Sequence, residues 1–220
     1  MEICFISKGG LAEFYKQENK QSDLLLFPFR SGEISYEKEL KGESNFFEEI
    51  AKVSKQSQAV VISGCVTNAK GHIRKSAIVA ENGRISGVSD MLHAIDGEVG
   101  CGANLRVYET KIGRIGVLVE KDLYFPETIS ALTVCGADII VCPFGRVGKI
   151  ERVLARAFAF VGGVPICVCG KGNSLIASPT GELCFSTTLS PAYYTVCPTK
   201  EYHLTETRRC GFSAISNEEQ

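Results

Sequence analysis

An apolar run over residues 115–119 ends abruptly in three charged side chains, Glu120, Lys121 and Asp122. Such a run predicts a strand that is buried on both faces in the middle of a sheet. Pro126 then begins a helix, because proline at an early helical position loses no hydrogen bond. Open sheets place their chemistry where a strand end meets a helix start. A carboxylate at Glu120 could act there as a general base on water.

Residues 113–127 contain Gly-Arg-Ile-Gly, then Glu-Lys-Asp, then Phe-Pro-Glu. This order resembles the nitrilase, or carbon–nitrogen hydrolase, superfamily. Its members carry a Gly-Arg/Lys-Ile-Gly strand, a nucleophilic cysteine followed by an aromatic residue and Asp, and then Phe-Pro-Glu. The matching residues are Gly113, Arg114, Ile115, Gly116, Asp122, Phe125, Pro126 and Glu127. Glu120 stands at the position of the cysteine, so the frame of the motif is present without its reactive atom.

Two further motifs of the family are also recognisable here, each with its catalytic residue replaced. An early strand of the family ends in Phe-Pro-Glu, whose Glu is the catalytic base, and here the run 24–29 ends in Phe29. A later Gly-x-Ile strand of the family leads to Tyr-Arg-Lys-x-His. Here it leads to Met91 at the Lys position and His93 at the His position. All three catalytic positions are therefore replaced, each inside a recognisable frame.

The resemblance implies a cysteine thiolate that attacks a nitrile or amide carbon, a Glu that transfers protons and a Lys that stabilises developing charge. Phe29 cannot transfer a proton, Met91 carries no charge, and Glu120 is a poor nucleophile. We therefore expect no thiol chemistry of the family type. Because the three catalytic groups of the family converge, we expect their replacements to line one pocket. The candidates for that pocket are Phe29, Met91, His93, Glu120, Lys121, Tyr124 and Cys142.

Three functions fit these residues. The first is a non-catalytic relative, retained to bind a small molecule in the degenerate pocket or to assemble. The second is an amidase-type hydrolase of a small non-peptide carbon–nitrogen bond, with Glu120 as general base and Lys121 or His93 assisting. Neighbouring strand residues point to opposite faces, so Lys121 shares the pocket only if the strand has already ended. The third uses a displaced cysteine, such as Cys142 or Cys101.

Length and charge set further limits. The chain has 220 residues, a length that fits one domain. It has 24 basic and 25 acidic side chains, and this balance gives no electrostatic reason to expect binding to nucleic acid or to a membrane surface. The first residues read as a strand and lack the basic start of a signal peptide. We expect a cytoplasmic protein without cofactor or metal. The resemblance implies a homo-oligomer, a dimer or higher, that uses the late helix 149–161.

The ten cysteines are scattered, with no Cys-x-x-Cys pair and no metal spacing. Five of them lie in apolar, strand-like runs, where cysteine behaves as a small hydrophobe. We expect these to be buried, reduced thiols: Cys4, Cys142, Cys167, Cys169 and Cys197. Cys101 and Cys210 have less apolar surroundings and are the candidates for reactivity.

The hydrophobic pattern alternates strands with helices along the chain. The expected helices cover 11–18, 43–55, 126–135 and 149–161, and the expected early strands cover 1–7, 24–28, 59–66, 75–80, 105–109, 113–119, 138–143 and 164–169. Three late segments, 174–177, 183–187 and 192–197, read as antiparallel strands joined by turns. This order fits an α/β fold of two stacked mixed sheets flanked by helices, the four-layer α-β-β-α sandwich that the resemblance implies. We expect residues 1–198 to form one nitrilase-like domain and 199–220 to form a polar C-terminal tail or arm.

Overall fold

Twelve strands in the described part of the chain form two six-stranded sheets. The computed structural model describes residues 1–11, 21–94 and 100–197. The first sheet contains β1 (Glu2–Phe5), β2 (Leu24–Ser35), β3 (Val60–Ala69), β4 (His72–Glu81), β5 (Arg84–Asp90) and β12 (Ala192–Thr195). The second contains β6 (Arg106–Thr110), β7 (Gly113–Val117), β8 (Ile139–Pro143), β9 (Ile166–Gly170), β10 (Asn173–Ala177) and β11 (Leu183–Thr187).

Both sheets are mixed, and each has a parallel centre. The spatial orders are β12-β1-β2-β3-β4-β5 and β11-β10-β9-β8-β7-β6. The parallel strands are β1, β2 and β3 in one sheet and β7, β8 and β9 in the other. Parallel strands are covered on both faces and are therefore apolar throughout. In β2, Leu24 and Leu26 pack in the core between the sheets, and Leu25 and Phe27 pack on the outer side.

The helices form the two outer layers. Within the described residues they are α1 (Tyr36–Lys41), α2 (Phe46–Ser57), α3 (Pro126–Val134) and α4 (Lys149–Gly162). Ile50 and Val53 of α2 pack on the first sheet, and Ala155 and Ala159 of α4 pack on the second. The expected four-layer α-β-β-α sandwich is confirmed. No helix in these residues is both long and apolar enough to span a membrane.

Several boundaries differ from the sequence interpretation. β2 runs on to Ser35, and α1 follows it directly, where the pattern predicted a strand that ended at Pro28. β12 pairs with β1, with Glu2 opposite Thr195, and so lies in a different sheet from β11. Turn residues report only local geometry, so they could not reveal this long-range pairing.

Cys197 lies beyond β12 and is exposed, contrary to expectation. Most of the expected helix 11–18, the tail 199–220 and Cys210 lie outside the described residues.

A β-bulge at Pro28 turns Phe29 toward the inside of the sandwich. Phe27 pairs with Ser63, and Phe29 pairs with the next residue, Gly64, so Pro28 is the extra residue in the ladder. Proline suits this position because a bulged residue needs no ladder donor. Without the bulge, strict alternation would place Phe29 on the outer face. The amide of Phe29 instead donates to the carbonyl of Phe144 at 3.0 Å, which joins the two sheets.

Gly64 permits this close approach, and Gly64→Ala is expected to destabilise the protein by about 2–3 kcal/mol through overpacking. A Cβ atom there would lie 2.7 Å from the Phe29 Cα atom and 2.9 Å from the Pro143 Cβ atom, and neither can move far. Chemical denaturation measures the difference. Gly32→Ala is the matched control, because no atom lies within 4 Å of the position that its methyl group would take. Equal effects of the two substitutions would contradict the packing argument.

Candidate functional site

The strand predicted over residues 113–119 ends two residues earlier in the structure. β7 ends at Val117, and a 3-10 turn spans Glu120–Tyr124. Leu118 and Val119 remain buried outside the strand. Glu120 has a φ of 51°, in the left-handed region that non-glycine residues seldom occupy. Such backbone strain persists where surrounding contacts fix the residue, and it often accompanies functional sites.

The side chain of Glu120 is held by two groups of its own chain. It is 7% exposed. Its Oε1 accepts a hydrogen bond from the backbone N–H of Gly145, and its Oε2 lies 3.6 Å from the Lys75 Nζ atom. A Cβ atom at position 145 would lie 2.9 Å from Oε1, so glycine is what lets the carboxylate approach.

Lys75 is the residue of this site that sequence reasoning missed. It belongs to β4, and its ammonium lies 5.7 Å from the centre of the Phe29 ring, a cation–π distance. A signal was available in the sequence. Lys75 alternates with Ala77 and Val79, which both pack between the sheets, so its side chain starts from the buried face.

The three positions at which the resemblance implies catalytic residues meet around Lys75. Phe29 and Met91 are 7% and 2% exposed and belong to the core between the sheets. The Met91 amide donates to the Lys75 carbonyl at 2.7 Å. Lys75 therefore contacts Phe29 through the ring, Met91 through the backbone and Glu120 through the carboxylate. That these side chains line a ligand pocket stays a prediction.

His93 lies at the strand–helix corner with Asp122. Asp122 is 1% exposed and accepts the backbone N–H groups of Leu92 and His93 at 2.9–3.0 Å. The His93 Nδ1 atom is 3.2 Å from Asp122, its Nε2 atom is 3.7 Å from Glu127, and its ring stacks on Phe125 at 3.8 Å. Burial raises the pKa of Asp122, and the hydrogen bonds oppose that rise. These contacts fasten the segment that follows β5 to the corner.

Tyr124 and Cys142 have structural partners near Glu120. The Tyr124 hydroxyl donates to the Glu151 carboxylate, which also accepts the Gly148 amide at 2.6 Å. Burial and that carboxylate raise the pKa of Tyr124, so the phenol stays neutral. Cys142 is fully buried, and its thiol lies 3.7 Å from the Glu120 carbonyl oxygen. Burial, and then the charge of Glu120, raises the pKa of this thiol well above its ordinary value.

The remaining candidates are Lys121 and Cys101. Lys121 is partly buried and follows Glu120 in the 3-10 turn, so the strand has indeed ended before it. The structure brings the Lys75 ammonium to the Glu120 carboxylate. Cys101 is exposed, in the connection between β5 and β6.

Comparison with solved structures supports the same architecture. Nit3 of Saccharomyces cerevisiae, a member of branch 10 of the nitrilase superfamily, superposes with a TM-score of 0.76 at 16% identity, over 96% of this chain and 93% of that one. XC1258 of Xanthomonas campestris, a CN-hydrolase superfamily protein, gives a TM-score of 0.74 at 16% identity, over 100% of this chain and 97% of that one. At such identities the likeness establishes the fold alone.

Sequence comparisons identify the family. A probable nitrilase of Schizosaccharomyces pombe is 24% identical, over 76% of this chain and 71% of its own length. The family model described as carbon-nitrogen hydrolase matches residues 14–190. That match covers most of the chain and includes the positions of Phe29, Met91 and Glu120. The chain therefore belongs to the carbon–nitrogen hydrolase family, within the nitrilase superfamily.

Proposed function

We propose that this chain is a catalytically silent member of its family, retained to bind a small molecule or to assemble. The observation that carries the proposal is that the Glu120 carboxylate already has partners within the chain. Glu120 stands where the family resemblance places the nucleophile, and its carboxylate is bound to the Gly145 N–H and to Lys75 of the same chain. A group that already has two partners and is 7% exposed is poorly placed to attack a substrate.

Phe29, Met91 and Cys142 supply no replacement for the lost chemistry. Phe29 can neither give nor take a proton, and Met91 offers no charge to a developing oxyanion. The Cys142 thiol lies 3.7 Å from the Glu120 carbonyl oxygen, but its raised pKa keeps it in the thiol form. Since the thiolate is the nucleophile, a buried thiol of this kind is inert. These facts support a protein without family-type hydrolysis.

One observation favours an alternative, a rebuilt amidase-type hydrolase. Glu120 and Lys75 lie 3.6 Å apart and restore a carboxylate and an ammonium, two of the three group types that the family uses. In that alternative Glu120 would act as general base on water, and Lys75 would stabilise charge on the attacked atom. The alternative needs water and substrate to reach a carboxylate that is almost covered.

Ammonia release from a panel of small amides, carbamoyl compounds and nitriles separates these functions. We expect the wild-type protein and Glu120→Gln to give the same rate as buffer. Glu120→Gln is preferred because the amide oxygen can still accept the Gly145 N–H, so the fold is kept. Turnover that the substitution abolishes would refute the silent protein and make Glu120 a catalytic base. Turnover that survives the substitution would direct attention to the cysteines.

For assembly, we propose that a second copy packs against an apolar face on α3 and α4. Five side chains, each 42–65% exposed, form this α4 apolar face: Val134, Ile150, Val153, Phe160 and Val161. Val153 and Phe160 also border a groove of about 310 Å³ beside Gly181. Large exposed apolar surfaces rimmed by polar residues mark protein interfaces. A two-fold pairing would cover the face on both copies at once.

Two arginines beside the α4 apolar face have hydrogen-bond partners within the chain. The Arg152 guanidinium donates to the Ser186 hydroxyl at 3.0 Å, and the Arg156 guanidinium donates to the Gly181 carbonyl at 2.7 Å. Both acceptors are neutral, so these hydrogen bonds fix the position of the two positive charges without cancelling them.

Val153→Glu is expected to convert the oligomer to monomer at micromolar concentration, because the carboxylate would have to be desolvated at the interface. Light scattering after size exclusion measures the mass. Leu40→Glu is the matched control, since Leu40 is 88% exposed on α1, in the opposite outer layer. A monomeric wild type, or an unchanged mass for Val153→Glu, would contradict the proposal.

A further inference from the structure

A cavity of about 780 Å³ lies beside Phe29 but on the other side of β2. Its walls come from the loop after β1, the second half of β2, the start of α2 and the turn between β9 and β10. Pro28 and Arg30 line it, whereas Phe29 between them packs into the core between the sheets. The bulge at Pro28 thus separates this cavity from the replaced catalytic positions.

The inner walls are apolar and uncharged. Ile34 and Cys65 are buried, and Phe46 is partly buried at the start of α2. Burial raises the pKa of the Cys65 thiol to about 12, so no thiolate faces the cavity near neutral pH. The volume falls within the ~300–1,000 Å³ that small-molecule sites occupy. An apolar molecular body fits such walls.

Among the described residues, the rim carries three cationic side chains, Lys8, Arg30 and Lys171. Lys8 and Lys171 are exposed, and Arg30 donates to the Gly9 carbonyl at 2.7 Å. Backbone hydrogen bonds fix the rim: the Lys171 amide donates to the Gly145 carbonyl at 2.8 Å, and the Lys8 amide donates to the Ser190 hydroxyl at 3.0 Å. The rim is therefore preformed around the opening.

Two carboxylates belong to the described part of the lining, and both accept hydrogen bonds within the chain. Glu39 accepts the amides of Phe46 and Phe47 at 3.0 and 3.1 Å, at the start of α2. Glu33 accepts a hydrogen bond from the Asn68 side chain at 2.8 Å. These donors are neutral and the two negative charges persist, so the three cationic side chains exceed the described carboxylates of the lining by one, which favours an anion at the opening.

We propose that this cavity binds a small amphipathic anion, with its acidic group between Lys8 and Lys171 and its apolar body against Ile34 and Phe46. The inference goes beyond the proposed function. It does not depend on whether Glu120 is catalytically active, because neither Glu120 nor Lys75 lines the cavity.

Calorimetric titration with 4-phenylbutyrate tests the proposal, with 4-phenylbutan-1-ol as the neutral analogue and inorganic phosphate as the anion without an apolar body. We expect saturable binding of the carboxylate and at least tenfold weaker binding of the other two. Lys8→Met/Lys171→Met should weaken phenylbutyrate binding at least tenfold. Glu120→Gln should leave it unchanged, which separates this test from that of the proposed function.

Lys149→Met is the matched control, since Lys149 is an exposed lysine at the start of α4, away from the cavity. The melting temperature of each variant without ligand verifies that it is folded. Absence of phenylbutyrate binding would overturn the proposal. Equal affinity for the alcohol or for phosphate, or unchanged affinity in the double variant, would overturn it as well.

Discussion

Lys75→Met is expected to lower the free energy of unfolding by about 2–4 kcal/mol, because it leaves the Glu120 carboxylate without its cation in an almost covered site. The two side chains are 24% and 10% exposed, which places the pair between a surface ion pair and a fully buried one. The Gly145 N–H would remain as a neutral hydrogen-bond donor to the carboxylate. Urea denaturation of the two proteins measures the loss.

The double variant Lys75→Met/Glu120→Gln completes the cycle and should recover most of the loss, since no unpaired charge then remains. Coupling energies of contacting pairs are about 0.5–3 kcal/mol. Lys52→Met is the control: its partner Glu48 lies 2.6 Å away on α2, with exposures of 57% and 63%. An exposed helical pair contributes only about 0.3–0.5 kcal/mol. Additive losses in the cycle would show that Lys75 and Glu120 do not interact.

Asp122→Ala is expected to cost about 2–4 kcal/mol, since each of two backbone N–H groups loses its acceptor at about 1–3 kcal/mol apiece. Those groups belong to Leu92 and His93, and they fix the segment that carries Met91 to the 3-10 turn. Chemical denaturation checks the loss. Glu127→Gln is the control, because Glu127 is 63% exposed and contacts only the outer nitrogen of His93 in the same corner.

The cost of Asp122→Ala should also depend on pH. Burial raises the folded-state pKa of Asp122 above its unfolded value, so the folded state binds the proton more tightly than the unfolded state. The stabilisation from this side chain is then complete below about pH 4, the ordinary aspartate value, and is lost as pH rises through the folded pKa. The difference between wild type and variant should therefore shrink from acidic to neutral pH. A difference that grows with pH would contradict the sign of the shift.

The sequence predicted the scaffold well because its signals are local. Strands buried on both faces read as apolar runs, as in 24–27 and 139–142, and the glycine after α3 has the left-handed φ of 85° that ends a helix. The motifs also identified Phe29, Met91 and Glu120 as positions that should lie close together. Contacts within the chain connect those positions through Lys75.

The partners of these residues could not be predicted in the same way. Lys75 and Glu120 are far apart in sequence. Lys75 lies on β4 of the first sheet and Glu120 follows β7 of the second, so their approach depends on how the sheets stack. The sequence suggested Lys121 or His93 as the helper of Glu120, since both are prominent in the motifs. The structure instead places His93 with Asp122 and Glu127.

The sequence by itself determined the layers and the motifs of the family, because each depends on residue identity and short-range periodicity. The tertiary structure decided the rest: the pairing of β12 with β1, the inward turn of Phe29 at the Pro28 bulge, and the Lys75–Glu120 contact. It also decided the cavity on the far side of β2. Each of these depends on a contact between distant segments, and such contacts form only when the hydrophobic layers close on one another.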